Sequence, residues 1–137
     1  MSRTASLVSL ILSFVLGACG GSAFREPPAN SYAVETHAFT IDAATASLPG
    51  AAVTKDFFAG TNAQPLVGRF FIDSDFVSVA PATVVLSNRL WSERFGASPT
   101  IIGRTIEIDG RRWTVIGIAP TAFDVPAGAL FWMPKTS

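Results

Sequence analysis

Asp109-Gly110 stands between two runs of alternating apolar and polar residues, 105–108 and 111–118, and no other feature limits the fold so tightly. Asp-Gly is the preferred pair for a two-residue type I′ turn, whose twist matches that of the strands it joins. A two-residue loop fixes the register. Ile108 faces Arg111, Glu107 faces Arg112, Ile106 faces Trp113 and Thr105 faces Thr114. Ile106, Trp113 and Val115 then share one face, while Glu107–Arg112 and the threonine pair share the other. Any fold for this chain must contain that antiparallel pair.

The residues before the hairpin are almost as clear. Thr83-Val84-Val85-Leu86 is β-branched and apolar, the composition of a buried strand. Ser87 then suits the N-cap of a helix over Asn88–Phe95, with Leu86 and Trp91 at the positions of a hydrophobic staple. Gly96 ends it in a left-handed conformation. Further upstream the signals weaken. Tyr32, Val34, Phe39 and Ile41 alternate imperfectly. Pro49-Gly50 predicts a turn, 51–53 a short strand, Thr54 a cap for a helix beginning at Lys55, and 66–71 another strand. A faint echo links Phe58…Pro65…Gly68-Arg69 to Phe95…Pro99…Gly103-Arg104, as a duplicated unit would leave.

The first eighteen residues have a different character. Arg3 is followed by an apolar run from Ala5 to Ala18, which is shorter than the ~20 residues a spanning helix needs. The run ends Leu16-Gly17-Ala18-Cys19, a large apolar residue, two small ones and the chain's single cysteine, the pattern of a bacterial lipobox. Residues 1–18 are therefore expected to be a lipoprotein signal peptide. Cys19 is the lipid attachment residue, carrying acyl chains of the palmitate class, and 19–30 (Gly20-Gly21-Ser22, then Pro27-Pro28) form a flexible tether. The folded part is 31–137. An ordinary signal peptide and an uncleaved anchor are the alternatives. The expected location is extracytoplasmic and lipid-anchored. Gly20 rather than aspartate after the cysteine favours the outer membrane.

Ten basic and ten acidic residues cancel, so no electrostatic footprint for nucleic acid exists. One cysteine excludes an internal disulfide and a cysteine-based metal cluster. His37, the only histidine, reads as a tether or surface residue. Asp73 and Asp75 read as solvated loop carboxylates. Gly68-Arg69 and Gly103-Arg104 read as bends whose arginines cap a surface or pair locally, and Trp91, Trp113 and Trp132 as core. No nucleophile–base–orienter set can be assembled, so no catalytic, cofactor or metal residue is assigned and no enzyme activity is expected.

The stretches 84–91, Arg94-Phe95-Gly96, Ile102-Gly103-Arg104-Thr105, Asp109-Gly110 and 115–120 together resemble the periplasmic core domain of MacB/FtsX-type ABC permeases. Residues 53–58, Leu66-Val67-Gly68-Arg69-Phe70-Phe71 and Phe131-Trp132-Met133-Pro134 are similar to further motifs of that family. The resemblance covers about residues 51–134. It implies an α+β fold, a partial core domain with β-α-β porter-like elements plus the hairpin. It also implies a non-catalytic binding or coupling module, partnered by membrane lipid through Cys19 and by an ABC permease or another periplasmic protein. No membrane helix follows Pro134 and no nucleotide-binding motif is present, so transport by this chain alone is not expected. A truncated permease relic without activity and a small extracytoplasmic hydrolase are the alternatives. A shortened domain should also leave a bare sheet edge, at Tyr32–Ile41 or at 130–134, open to self-association.

Overall fold

The computed structural model describes residues 24, 25, 27, 29–77 and 80–135. Among the described residues, seven strands and two short α-helices follow one another: β1 (Tyr32–Ile41), β2 (Ala44–Val53), α1 (Phe57–Thr61), β3 (Val67–Gly68), β4 (Thr83–Leu86), α2 (Asn88–Phe95), β5 (Thr105–Ile108), β6 (Arg111–Ile118) and β7 (Phe131–Pro134). The sheet order is β3-β6-β4-β7-β2-β1-β5, and β5 also pairs with β6. Pairing therefore runs round a ring β5-β6-β4-β7-β2-β1 and back to β5, with β3 beside β6. The ladders are mixed: β4–β6 and β2–β7 are parallel, the rest antiparallel. This is the α+β architecture expected.

The β5–β6 register is the one the Asp-Gly turn dictates, from Ile108↔Arg111 to Thr105↔Thr114. Asp109 and Gly110 both have positive φ, 53° and 80°, as a type I′ turn requires. Helix α2 runs over the predicted residues. The Ser87 hydroxyl accepts from Leu90 N–H, and Gly96 closes the helix at φ 60°.

Several upstream expectations are corrected. Pro49-Gly50 is not a turn but lies inside β2, with Pro49 opposite Thr36. The Pro49 carbonyl accepts from Leu130 N–H on the β7 side. A strand residue points its N–H the same way as its C=O. The proton that proline lacks thus falls before the first β2–β7 pair, Ala51↔Trp132, where no ladder bond needs it. Gly50 is required by contact: a Cβ there would sit 2.3 Å from the Phe131 ring. The true turn is Asp42-Ala43, both residues at positive φ. Helix α1 starts at Phe57, two residues later than expected, and of 66–71 only Val67–Gly68 joins the sheet. Residues 131–134 form no edge. Strand β7 lies between β2 and β4.

The two sheet faces bury different side chains. Inside the ring, Val84, Leu86, Val115, Ile118, Ile106, Ile108, Phe39, Phe131 and Met133 pack together, capped by Leu90 of α2 and by Ile101. A register shift after Val84 lets both Val115 and Ile118 face inward although they are three apart. The outer face holds Val53, Val85, Ile116 and Trp132, covered by Phe57 and Phe58 of α1 and by Phe123.

Candidate docking surface

Among the described residues no group of three or more His, Cys, Asp or Glu side chains is arranged to hold a metal ion. Cys19 lies outside the described residues. The remaining residues singled out by sequence serve the fold. His37 sits in β1, not in a tether, and its Nδ1 pairs with Asp109 Oδ2 at 2.6 Å. The other Asp109 oxygen accepts from Ala38 N–H at 2.8 Å, while Asp109 N–H donates to the Ala38 carbonyl. The hairpin tip thus clamps β1. The His37 hydrogen bond, then the Ala38 N–H, hold the Asp109 carboxyl below its ordinary value, because both favour its charged form.

Asp75 corrects the solvated-loop reading. It is buried, its Oδ2 accepts from Ile72 N–H at 2.8 Å, and Arg69 pairs with the same oxygen at 2.9 Å. Asp73 is exposed. Arg69 does pair locally, whereas Arg104 reaches back to Asp42 at 3.0 Å and lies over the Phe95 ring. Trp132 is fully buried with its indole N–H on the Val125 carbonyl. Trp91 and Trp113 are half-buried and donate to Ser98 and Ile108 carbonyls.

Two surfaces among the described residues stand out as able to take a partner. The first is the β1 edge. Ala38 directs its N–H and C=O toward the Asp109 turn, so by alternation Thr36 and Val34 direct theirs the same way. There β5 has already ended: its ladder with β1 comprises Phe39↔Ile108 and Thr40↔Glu107. Residues 33–36 are exposed, Val34 by 43%. The expected edge Tyr32–Ile41 is therefore covered by β5 at Phe39 and Thr40, and only its first half lies beyond that ladder.

The second surface is aromatic and was missed in the sequence. After β3 the chain folds back over α1. Phe70 stacks on Phe58 with centroids 3.9 Å apart, and Phe71 lies between Phe58 and Phe76 at 5.9 and 5.8 Å. A groove of about 370 Å³ opens among Lys55, Phe58, Phe70, Phe71, Ile72 and Phe76. Three of the four large hydrophobic residues exposed among the described residues, Leu66, Ile72 and Val77, lie in this one segment. The available signal was Phe70-Phe71-Ile72 followed by Asp73-Ser74-Asp75, an apolar run too closely broken by polar residues for a strand with a buried face. No helix among the described residues is long and apolar enough to cross a membrane.

Residues 21–137 match the family described as MacB-like periplasmic core domain. Two solved structures share the fold. The extracellular domain of the noncanonic ABC-type transporter YknZ from Gram-positive bacteria is 17% identical with a TM-score of 0.64, over 77% of this chain and 52% of that one. The periplasmic region of MacB from Actinobacillus actinomycetemcomitans is 16% identical with a TM-score of 0.64, over 77% and 47%. The chain therefore spans about half the length of these structures. No curated protein matches its sequence.

Proposed function

The chain belongs to the MacB-like periplasmic core domain family, and from that premise we propose that it is a non-catalytic extracytoplasmic module, lipid-anchored through Cys19, that binds or couples to a membrane transport or efflux system. The observation that carries this reading is the adjacency of two signals. The lipobox ends at Cys19, and the family match begins at residue 21. Leader 1–18, tether 19–30 and domain 31–137 are part of the proposal. Within the tether, Phe24 meets Phe123 edge-on at 5.0 Å and Arg25 N–H donates to the Thr61 carbonyl, so the free length is short.

Both solved relatives are extracytoplasmic parts of transporters by description, which supports the location and a permease-type partner. The closed ring and the two buried clusters support a module that folds by itself rather than a relic. The β1 edge supplies a means of contact, because among the described residues no strand pairs with it at Val34 and Thr36, whose outward N–H and C=O groups suit an added strand from a partner or from a second copy. Fatty-acid labelling tests the anchor. Wild type should incorporate labelled palmitate and sediment with membranes, and Cys19→Ala should lose the label and become soluble. A wild-type protein without label contradicts the reading. For the edge, sedimentation of the unacylated protein should show association that Val34→Lys abolishes, and a wild-type monomer throughout contradicts self-association.

A further inference from the structure

We propose that the segment 70–77 rests on the lipid surface that holds Cys19, with Ile72 and Val77 entering the headgroup boundary. This rests on the reading of Cys19 as the anchor. Four residues separate Cys19 from Phe24, so a fully extended link reaches roughly 18 Å. Phe24 fixes where that link meets the fold. Its ring lies on Phe123, Phe123 lies 5.8 Å from Phe58, and Phe58 leads through Phe71 to Phe76. Arg25 is bonded to the end of α1, the helix whose Phe58 and Ala59 line the aromatic groove. The attachment point and the exposed segment are therefore joined through one aromatic cluster, whose middle members Phe123 and Phe58 are buried, and the anchor holds both ends of it near the membrane.

The segment also has the form such contact needs. A 3-10 turn over Asp73–Phe76 is locked by Asp75, which takes the Ile72 N–H and the Arg69 guanidinium. Ile72 and Val77, 54% and 50% exposed, are thus held outward on an ordered loop. Lys55 and Lys135 border Val77 with a single carboxylate, Asp73, among them. Their ammonium groups suit lipid phosphates while the apolar side chains enter the boundary. The β1–β2 turn lies at the opposite end of a ten-residue strand, roughly 30 Å away.

The test uses the full precursor, processed in a lipoprotein-maturing bacterium and reconstituted into phosphatidylethanolamine–phosphatidylglycerol vesicles. Acylation occupies the Cys19 thiol, so Ile72→Cys and Ala44→Cys each add one site for a nitroxide label. The label at 72 should lose collisions with a water-soluble nickel chelate and gain collisions with oxygen, relative to the label at 44. Equal, water-like accessibility at both positions, with acyl chains on Cys19 by intact mass, overturns the docking and leaves the anchor standing. A free Cys19 thiol by the same mass measurement overturns both. Protection at 72 that appears only after a permease is added assigns the surface to a protein and likewise overturns the lipid contact.

Discussion

The inner and outer faces of the sheet are sealed by different means, and the contrast separates what holds this fold from what it offers to others. The inner face is filled mainly by strands: β-branched and leucine side chains from β4, β5 and β6 fill the ring around Phe39 and Phe131, with Leu90 of α2 and Ile101 as a lid. The outer face is closed by material that is not strand, the short α1 and the aromatic residues of loops, with Phe24, Phe70 and Phe71 only half-buried. Strand-borne cover is complete because the ladder fixes each side chain opposite another. Loop-borne cover ends where the loop ends, and it leaves Leu66, Ile72 and Val77 in water.

Truncation on the two faces tests that contrast first. Phe131→Ala should cost about 3–5 kcal/mol, since the ring is fully buried and its neighbours cannot collapse into the space. Phe71→Ala, on the outer face, should cost about 1 kcal/mol for a half-buried ring. Equal losses in urea denaturation would erase the distinction. Next, Gly50→Val should cost about 1–3 kcal/mol, because any Cβ there displaces the Phe131 ring. The same measurement on Gly110→Val should give about 1 kcal/mol, the penalty of a β-branched residue at positive φ with open space around it.

These positions also show what was legible in the sequence. The hairpin and α2 could be read because their determinants are local: Asp109-Gly110 for the turn, Ser87 and Gly96 for the caps. The β1–β2 hairpin could not, because Asp42-Ala43 places alanine where glycine normally signals the turn. Pro49-Gly50 misled for a tertiary reason, since both residues answer to partners in distant sequence, Leu130 and Phe131. The position of β7 depends on strand order, for which 131–134 carries no local mark. The exposed aromatic segment carried no such local mark, because it depends on α1 folding beneath it.

Two smaller effects sharpen the account of the inner strands. The Thr83 hydroxyl is buried without a hydrogen-bond partner among the described residues. Thr83→Val should therefore raise stability, by about 1 kcal/mol, and a loss in thermal denaturation would reveal a partner for it. The Asp109 clamp should give a modest acid dependence. Its folded carboxyl lies below the ordinary 3.8, so its stabilisation is complete above that value and is lost as pH falls through the lower folded one. Asp109→Asn should flatten the acid limb of the stability profile, and an unchanged limb would exclude the clamp as its source.

The central claim, a ring sealed from within that leaves β1 and the aromatic segment to engage partners, is tested most directly by native-state hydrogen exchange. The account predicts that backbone amides of β4, β6 and β7 exchange only through global unfolding, while Val34, Thr36 and residues 70–77 exchange through local opening at much lower free energy. Amides of β4 and β7 exchanging as readily as those of Val34 and Thr36 would contradict it.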